Sequence, residues 1–391
     1  MPDLNEAQAI QRVTDLISIP GGSCSEHDVS DWLQQQLQQL GVPKSAISSD
    51  TAHRKSPAGG TTGNLIVKLK GTARAPRRLL MAHMDTVPLA VGCQPVRDDD
   101  VIRPASRSTA LGGDNRAGCA AVLTAVAEIL ERKLDHPPLT LLFTVQEEIG
   151  LRGARFLTAG KLGQPKLCFN WDGRDPATLV TGAVGATNVS VRIAGIASHA
   201  GVHPEDGINA GVVASLALAE LQRNGWHGLI EQGKQRGASN VGILQGGAAT
   251  NVVMPELALE AEVRSHSSSF RRRILREWRR AFTTAAGDVR NSAGQQATVQ
   301  FDEDTRYEAF RLKRSEPCLK EAELAVRDLG LEPISGPCDG GLDANWMTTH
   351  GFPTVTLGCG QHNIHTVDEF LSLPEFLTGC RLALQLATGG Q

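Results

Sequence analysis

The chain is expected to fold as an α/β protein: a three-layer domain on a mostly parallel sheet, interrupted by a smaller α+β sandwich. Three observations carry this expectation. From residue 64 to residue 172, buried strand-like runs alternate with a strong apolar helix, the pattern of a sheet covered on both faces. From 187 to 301 the pattern changes to longer alternating strands and two helices. From 320 onward the first pattern resumes and ends in a closing helix. A discontinuous first domain, residues 1–182 with 303–391, and an inserted one, residues 183–302, follow from that order. An insertion of about 120 residues is an ordinary domain size.

Composition narrows the function classes. The 391 residues carry 41% hydrophobic and 21% charged side chains, a soluble globular balance, and suffice for two domains. The net charge of −3 gives no electrostatic case for nucleic acid or an anionic membrane. Aromatic residues make up 4%, with one tyrosine, which argues against base-stacking surfaces. The eight cysteines form no Cys-x-x-Cys pair, and several lie in apolar runs, so reduced, packed thiols are expected. The acidic start, Met1-Pro2-Asp3-Leu4-Asn5-Glu6, lacks the form of a signal peptide, and no apolar run is long enough to span a bilayer. A cytoplasmic protein is the expectation.

The elements can be expected in order. Residues 4–19 place Ala9, Ile10, Val13, Leu16 and Ile17 at helical spacing before Pro20-Gly21-Gly22 stops the run. Residues 26–40 repeat this with Val29, Leu33, Leu37 and Leu40, then Gly41. Residues 51–63 read as a polar, glycine-rich loop. Strands are expected over 64–70, 78–82, 139–145 and 166–170, with an apolar helix over 119–130. In the insertion, Val189, Val191 and Ile193 share one side of a strand over 187–194. A helix over 206–221, strands over 239–244 and 257–264, a helix over 270–286 and a strand over 297–301 follow. A helix over 320–329, a buried strand over 354–357 and a helix over 373–387 complete the chain.

In such sheets the site lies beyond the carboxyl ends of the strands. His83 and Asp85 stand where the 78–82 strand ends, two apart and so on one side. A metal-binding histidine is commonly held by a carboxylate on its other nitrogen, so this pair reads as ligand and orienting group. Asp114, the adjacent Glu147 and Glu148, Asp172 and His365 complete the candidates. Two imidazoles with carboxylates, one of them shared, suit two zinc-like ions, with manganese or cobalt as lesser fits. Two such ions about 3.5–4 Å apart can hold a water for hydrolysis. Of two adjacent glutamates, one can bind metal while the other stays free as a general base. Singly, each residue has a plainer reading. Asp114 can be an N-cap, Asp172 a turn residue, His365 a surface-loop residue, and the glutamates the first turn of a solvated helix.

Taken together, the motifs resemble the family of two-zinc exopeptidases and amidohydrolases, peptidase family M20, nearly end to end. His83-Met84-Asp85-Thr86-Val87-Pro88 is similar to its His-x-Asp motif. Gly113-Asp114-Asn115-Arg116-Ala117-Gly118 is similar to its bridging-aspartate motif, Glu147-Glu148 to its glutamate pair, and His365-Thr366 with Asp368-Glu369 to its terminal histidine motif. The form of the aspartate motif and of Ala197-Ser198-His199-Ala200-Gly201 resembles the peptidase T branch most.

The resemblance implies two Zn²⁺ per subunit: His83 and Asp172 on one, Glu148 and His365 on the other, Asp114 bridging, Glu147 as base and Asp85 orienting His83. It implies that the insertion is a lid that also forms a homodimer. His199, Asn251 and Arg264 would then contact substrate, a fixed guanidinium suiting a carboxylate and an imidazole an oxyanion. The implied activity is hydrolysis of an amide bond in a small peptide, an aminopeptidase of tripeptidase type. A carboxypeptidase or an N-acyl-amino-acid deacylase is the alternative, and a non-catalytic binding protein ranks lower because the residue set is complete. Gly340-Gly341-Leu342-Asp343 and Gly358-Cys359-Gly360 are expected to line the cleft, where glycine permits close backbone approach.

Overall fold

The computed structural model describes residues 4–390. The chain divides into two compact units, one within Met1–Ala183 and Arg311–Gln391 and the other Val184–Phe310.

The first unit is built on a mixed sheet. Its order runs Ile47–Ser49, Leu65–Leu69, Leu139–Thr144, Arg78–His83, Leu167–Trp171, Thr354–Leu357, Thr178–Ala183. The centre is parallel: Arg78–His83 lies between Leu139–Thr144 and Leu167–Trp171, and Thr354–Leu357 continues on the far side. The flanks turn antiparallel at Leu65–Leu69 and at Thr178–Ala183. The central strands are buried from end to end, which is why they read as continuous apolar runs.

Both faces of the sheet are covered. Leu79 and Met81 pack with Ile66, Leu142, Leu157, Leu162 and Met347 on one face. On the other, the helix Gly113–Arg132 packs against the strand Arg78–His83 and against the helices Glu6–Ser18 and Leu373–Thr388. A small second sheet joins Gln361–His362, Phe370–Ser372, Val101–Pro104 and Pro95–Asp98.

Several boundaries differ from expectation for identifiable reasons. The helix expected from Cys119 begins at Gly113, with non-helical backbone at Asp114 and Asn115, so its first turn is irregular. The loop expected over 51–63 contains a helical turn, Ala52–Lys55, just before which the Asp50 carboxylate accepts the Ala52 N–H at 3.0 Å. A seven-residue helix, Asp343–Thr349, follows the glycines at 340–341.

The second unit holds a five-stranded antiparallel sheet in the order Gly228–Gln232, Gln235–Gly246, Glu256–Ser265, Gly185–Ala194, Thr298–Tyr307. The helices Ala210–Arg223 and Ser268–Asp288 pack on each other and on this sheet. Val189, Val191 and Ile193 enter a core with Trp278, Phe282 and Phe301. The helix expected from Asp206 starts at Ala210, because the Asn209 side chain accepts the N–H groups of Gly211 and Val212 at 2.9 and 3.3 Å.

Candidate active site

His83, Asp114, Glu148 and Asp172 sit at or just past the ends of central strands or of the neighbouring helix, and His365 sits in the loop between Gln361–His362 and Phe370–Ser372. His83 closes the strand Arg78–His83 and is almost fully buried. Its Nδ1 lies 3.0 Å from the Asp85 carbonyl oxygen and 3.5 Å from the Asp85 carboxylate. Its Nε2 therefore faces away, 3.1 Å from Asp114 and 3.7 Å from Asp172. Asp172 follows the strand Leu167–Trp171, and its own N–H is fixed by the Leu357 carbonyl at 3.1 Å.

Asp114 is not the N-cap that its position after two glycines allowed. Gly112 occupies the cap position, and the Asp114 carboxylate points at two histidines instead. Oδ1 lies 3.1 Å from Nε2 of His83, and Oδ2 lies 3.2 Å from Nε2 of His365. The irregular turn that permits this is pinned by Glu369, whose carboxylate accepts the N–H groups of Gly112 and Asp114 at 2.9 and 3.1 Å. Asn115 braces it further, donating to the Trp171 carbonyl at 2.7 Å and accepting from Gln361 at 2.7 Å. Gly118 lets the helix approach the end of that strand, since a Cβ there would overlap the Trp171 carbonyl oxygen.

Glu147 and Glu148 occupy a turn after the strand Leu139–Thr144, not a solvated helix start. Their N–H groups donate to the two oxygens of Asp85 at 3.0 and 3.2 Å. Asp85 thus holds the glutamate turn as well as the His83 ring. Glu148 reaches His365 at 3.0 Å, and His365 stands at φ +65° in a loop, its side chain 46% exposed.

The result is two groups of donor atoms, His83/Asp114/Asp172 and Asp114/Glu148/His365, each within 4.8 Å and sharing Asp114. Each offers one imidazole nitrogen with carboxylate oxygens, a donor set that fits zinc and related divalent ions. Charge points the same way. Burial pushes the Glu148 carboxyl up to about 7 and that of Asp172 up to about 6. Burial raises Glu147 well above the ordinary glutamate value, with Asp172, Asp343 and Glu148 adding to it against His83. Burial opposes the charge of Asp114 too, yet His365 and His83 hold its pKa low. His365 itself is raised to about 10 by its hydrogen bonds to Asp114 and Glu148. Cations would relieve this crowding of carboxylates.

Three supporting residues were not singled out from the sequence. Asp343 is buried beside the site, takes a hydrogen bond from Thr144, and is pushed up to about 7 by burial. The glycines before it marked the segment but not the carboxylate. Ser23 donates to Asp85 at 2.6 Å, and Glu26 accepts the Gln146 N–H at 3.0 Å. Nothing in the spacing of either residue signals these contacts.

The remaining candidates lie in the second unit. His199 and Asn251 are exposed and belong to two segments laced by backbone bonds, Ala200 N–H to the Asn251 carbonyl at 3.0 Å and Val253 N–H to the Ser198 carbonyl at 2.9 Å. Arg264 lies near the far end of the strand Glu256–Ser265, roughly 26 Å along it from Glu256 at strand rise. Its guanidinium is paired with Glu262 at 3.0 Å. Within this unit the structure brings His199 and Asn251 together and sets Arg264 apart.

The chain is similar to known proteins over its full length. The YqjE protein of Bacillus subtilis (strain 168) is 29% identical over 384 residues, 98% of each chain. Among solved structures, a tripeptidase from Staphylococcus aureus subsp. aureus Mu50 superposes with a TM-score of 0.89 at 28% identity, covering 99% of each chain. The aminopeptidase PepT from Bacillus cereus ATCC 10987 superposes with a TM-score of 0.85 at 27% identity, covering 98% of each. The profile of peptidase family M20/M25/M40 matches residues 79–389, a span that includes every candidate ligand from His83 to His365. The chain belongs to peptidase family M20/M25/M40.

Proposed function

We propose that this peptidase-family hydrolase is an aminopeptidase acting on short peptides, tripeptides foremost, with two divalent cations, zinc first, at the shared-aspartate site. The observation that carries the reading is Asp114, whose two oxygens each face a different histidine at 3.1 and 3.2 Å. His83, Asp114 and Asp172 would hold one ion, and Asp114, Glu148 and His365 the other. Bound there, the cations would supply Lewis acidity toward a scissile carbonyl and toward water.

The chain's own residues do the rest. Asp85 fixes the His83 ring through its carbonyl and sets the glutamate turn through its carboxylate. Positive charge nearby would favour ionised Glu147, which burial alone disfavours. Glu147 then accepts a proton from the attacking water and returns it to the departing amine nitrogen. Full-length similarity to a tripeptidase and to an aminopeptidase supports the choice of the amine end.

A homodimer through the second unit is part of this proposal. Val212 and Leu216, one helical turn apart and 47% and 44% exposed, supply an apolar contact stripe. Sedimentation of the wild type and of Leu216→Asp tests it, a dimer that the substitution weakens being the expected result.

The functional test is hydrolysis of a panel of dipeptides, tripeptides and N-acyl amino acids by protein reloaded with zinc, manganese or cobalt, read by mass spectrometry. Release of the N-terminal residue from tripeptides is expected. Release of a C-terminal residue or an acyl group would overturn the aminopeptidase assignment.

A further inference from the structure

The backbone that carries Glu147 and Glu148 is held by two carboxylates from distant parts of the chain. Asp85 takes the N–H groups of Glu147 and Glu148. One residue earlier, the Gln146 N–H donates to Glu26 at 3.0 Å, across 120 residues of sequence. The same Glu26 oxygen accepts the Cys24 N–H at 2.9 Å. Three consecutive amides are therefore anchored, the first by Glu26 and the next two by Asp85.

Gln146 needs that anchor. It stands at φ +56°, a left-handed conformation uncommon for a residue with a side chain. Its side-chain amide is also tied to the Gly59 carbonyl at 2.5 Å. Glu26 is fully buried at the start of the helix His27–Gln39, yet makes no capping bond to that helix. Its second oxygen has no hydrogen-bond partner among the described residues. A buried carboxylate in that situation is unfavourable as packing. Its hydrogen bonds go to the connector that carries it and to the glutamate turn. Ser23, on the same connector, donates to Asp85 at 2.6 Å, so the segment Ser23–Glu26 supports both anchors.

We propose that Glu26 is a positioning residue for the catalytic turn: by fixing the Gln146 amide it sets, together with Asp85, the direction in which the Glu147 carboxylate points. The inference rests on the reading of Glu147 as the base.

The test compares Glu26→Ala with Glu26→Gln. Alanine removes the acceptor, whereas glutamine keeps a carbonyl oxygen within reach of the same two amides. In metal-free protein, amide hydrogen exchange over residues 145–149 should quicken about tenfold or more in Glu26→Ala, with other segments unchanged, and stay near wild type in Glu26→Gln. With metal occupancy verified, kcat of Glu26→Ala should fall roughly 10–100-fold with KM little changed, as for groups that hold catalytic residues from behind. Glu26→Gln should recover most of that loss. Wild-type exchange at 145–149 with wild-type kcat in Glu26→Ala would overturn the inference. So would an equal loss in both variants, or faster exchange spread evenly over the first unit. Metal-loaded Glu147→Ala separates the two claims. If it turns over like wild type, the base reading fails, and the exchange data still decide whether Glu26 holds the turn. If it is inactive while Glu26→Ala is unaffected, only the role of Glu26 fails.

Discussion

Replacing Asp85 by asparagine changes one oxygen to an NH2 group and removes a charge, with little change in shape. Both carboxylate oxygens are already used. Oδ1 accepts the Glu147 N–H at 3.0 Å, and Oδ2 accepts the Glu148 N–H at 3.2 Å and the Ser23 hydroxyl at 2.6 Å. Whichever way the amide is turned, its NH2 meets a backbone N–H that cannot rotate away. The Ser23 hydroxyl can rotate, so only the backbone confrontation is unavoidable. One buried N–H left unpaired costs about 1–3 kcal/mol, and a lost charge-assisted bond about 1.5–3 kcal/mol. Asp85→Asn should therefore lose roughly 2.5–6 kcal/mol of unfolding free energy in urea, with the slope of the transition unchanged. At verified metal occupancy its kcat should fall roughly 10–100-fold. A variant within about 0.5 kcal/mol and twofold of wild type would refute the claim that this carboxylate holds the glutamate turn.

Other substitutions probe different links. Asp114→Ala removes the carboxylate that both donor groups share, so calorimetric metal stoichiometry should fall from two per chain to one or none. Gly118→Ala forces a Cβ onto the Trp171 carbonyl and should destabilise the protein by about 1–3 kcal/mol in urea, while an unchanged midpoint would deny the close approach. The pH dependence has a definite sign. Glu148, Asp172 and Asp343 have folded pKa values raised to about 7, about 6 and about 7, so the metal-free fold keeps protons that the unfolded chain gives up. The stability they contribute is full below their ordinary values near 4 and is lost as pH rises through about 7. His365, raised to about 10, adds stability that is full below its ordinary value and is lost toward about 10. The metal-free Tm should thus fall between pH 5 and pH 8. The gain in Tm on adding zinc should rise over the same interval, since binding needs ionised carboxylates and neutral imidazoles. An equal gain at both pH values would contradict this assignment.

The sequence made the skeleton of the site legible because most of its candidate ligands are placed by local rules. His83, Glu147 and Asp172 follow buried strands whose apolar runs announce where they stop. Asp114 stands between glycines and an apolar helix. The direction of the flanking strands was not legible. Side-chain alternation is the same in Leu65–Leu69, which runs antiparallel to its neighbour, as in a parallel strand. The strand Ile334–Cys338 also escaped notice, since it contains Gly336 and Pro337 and its pairing is irregular there. The supporting contacts left no trace either. Glu26 meets Gln146 across 120 residues, and Glu369 meets Asp114 across 255. No periodicity records such pairs. The dual role of Asp85 was half legible: its spacing from His83 suggested the ring, while its hold on the glutamate turn depends on how two strand ends meet.

The central claim is that a shared-aspartate metal site works with Glu147 as its base. The most direct test is the turnover of metal-saturated Glu147→Gln on tripeptides, with metal content measured on the same sample. The account predicts wild-type metal content and a fall in kcat of roughly 10²–10⁴-fold, the usual contribution of a positioned base. Undiminished turnover at full metal content would contradict it.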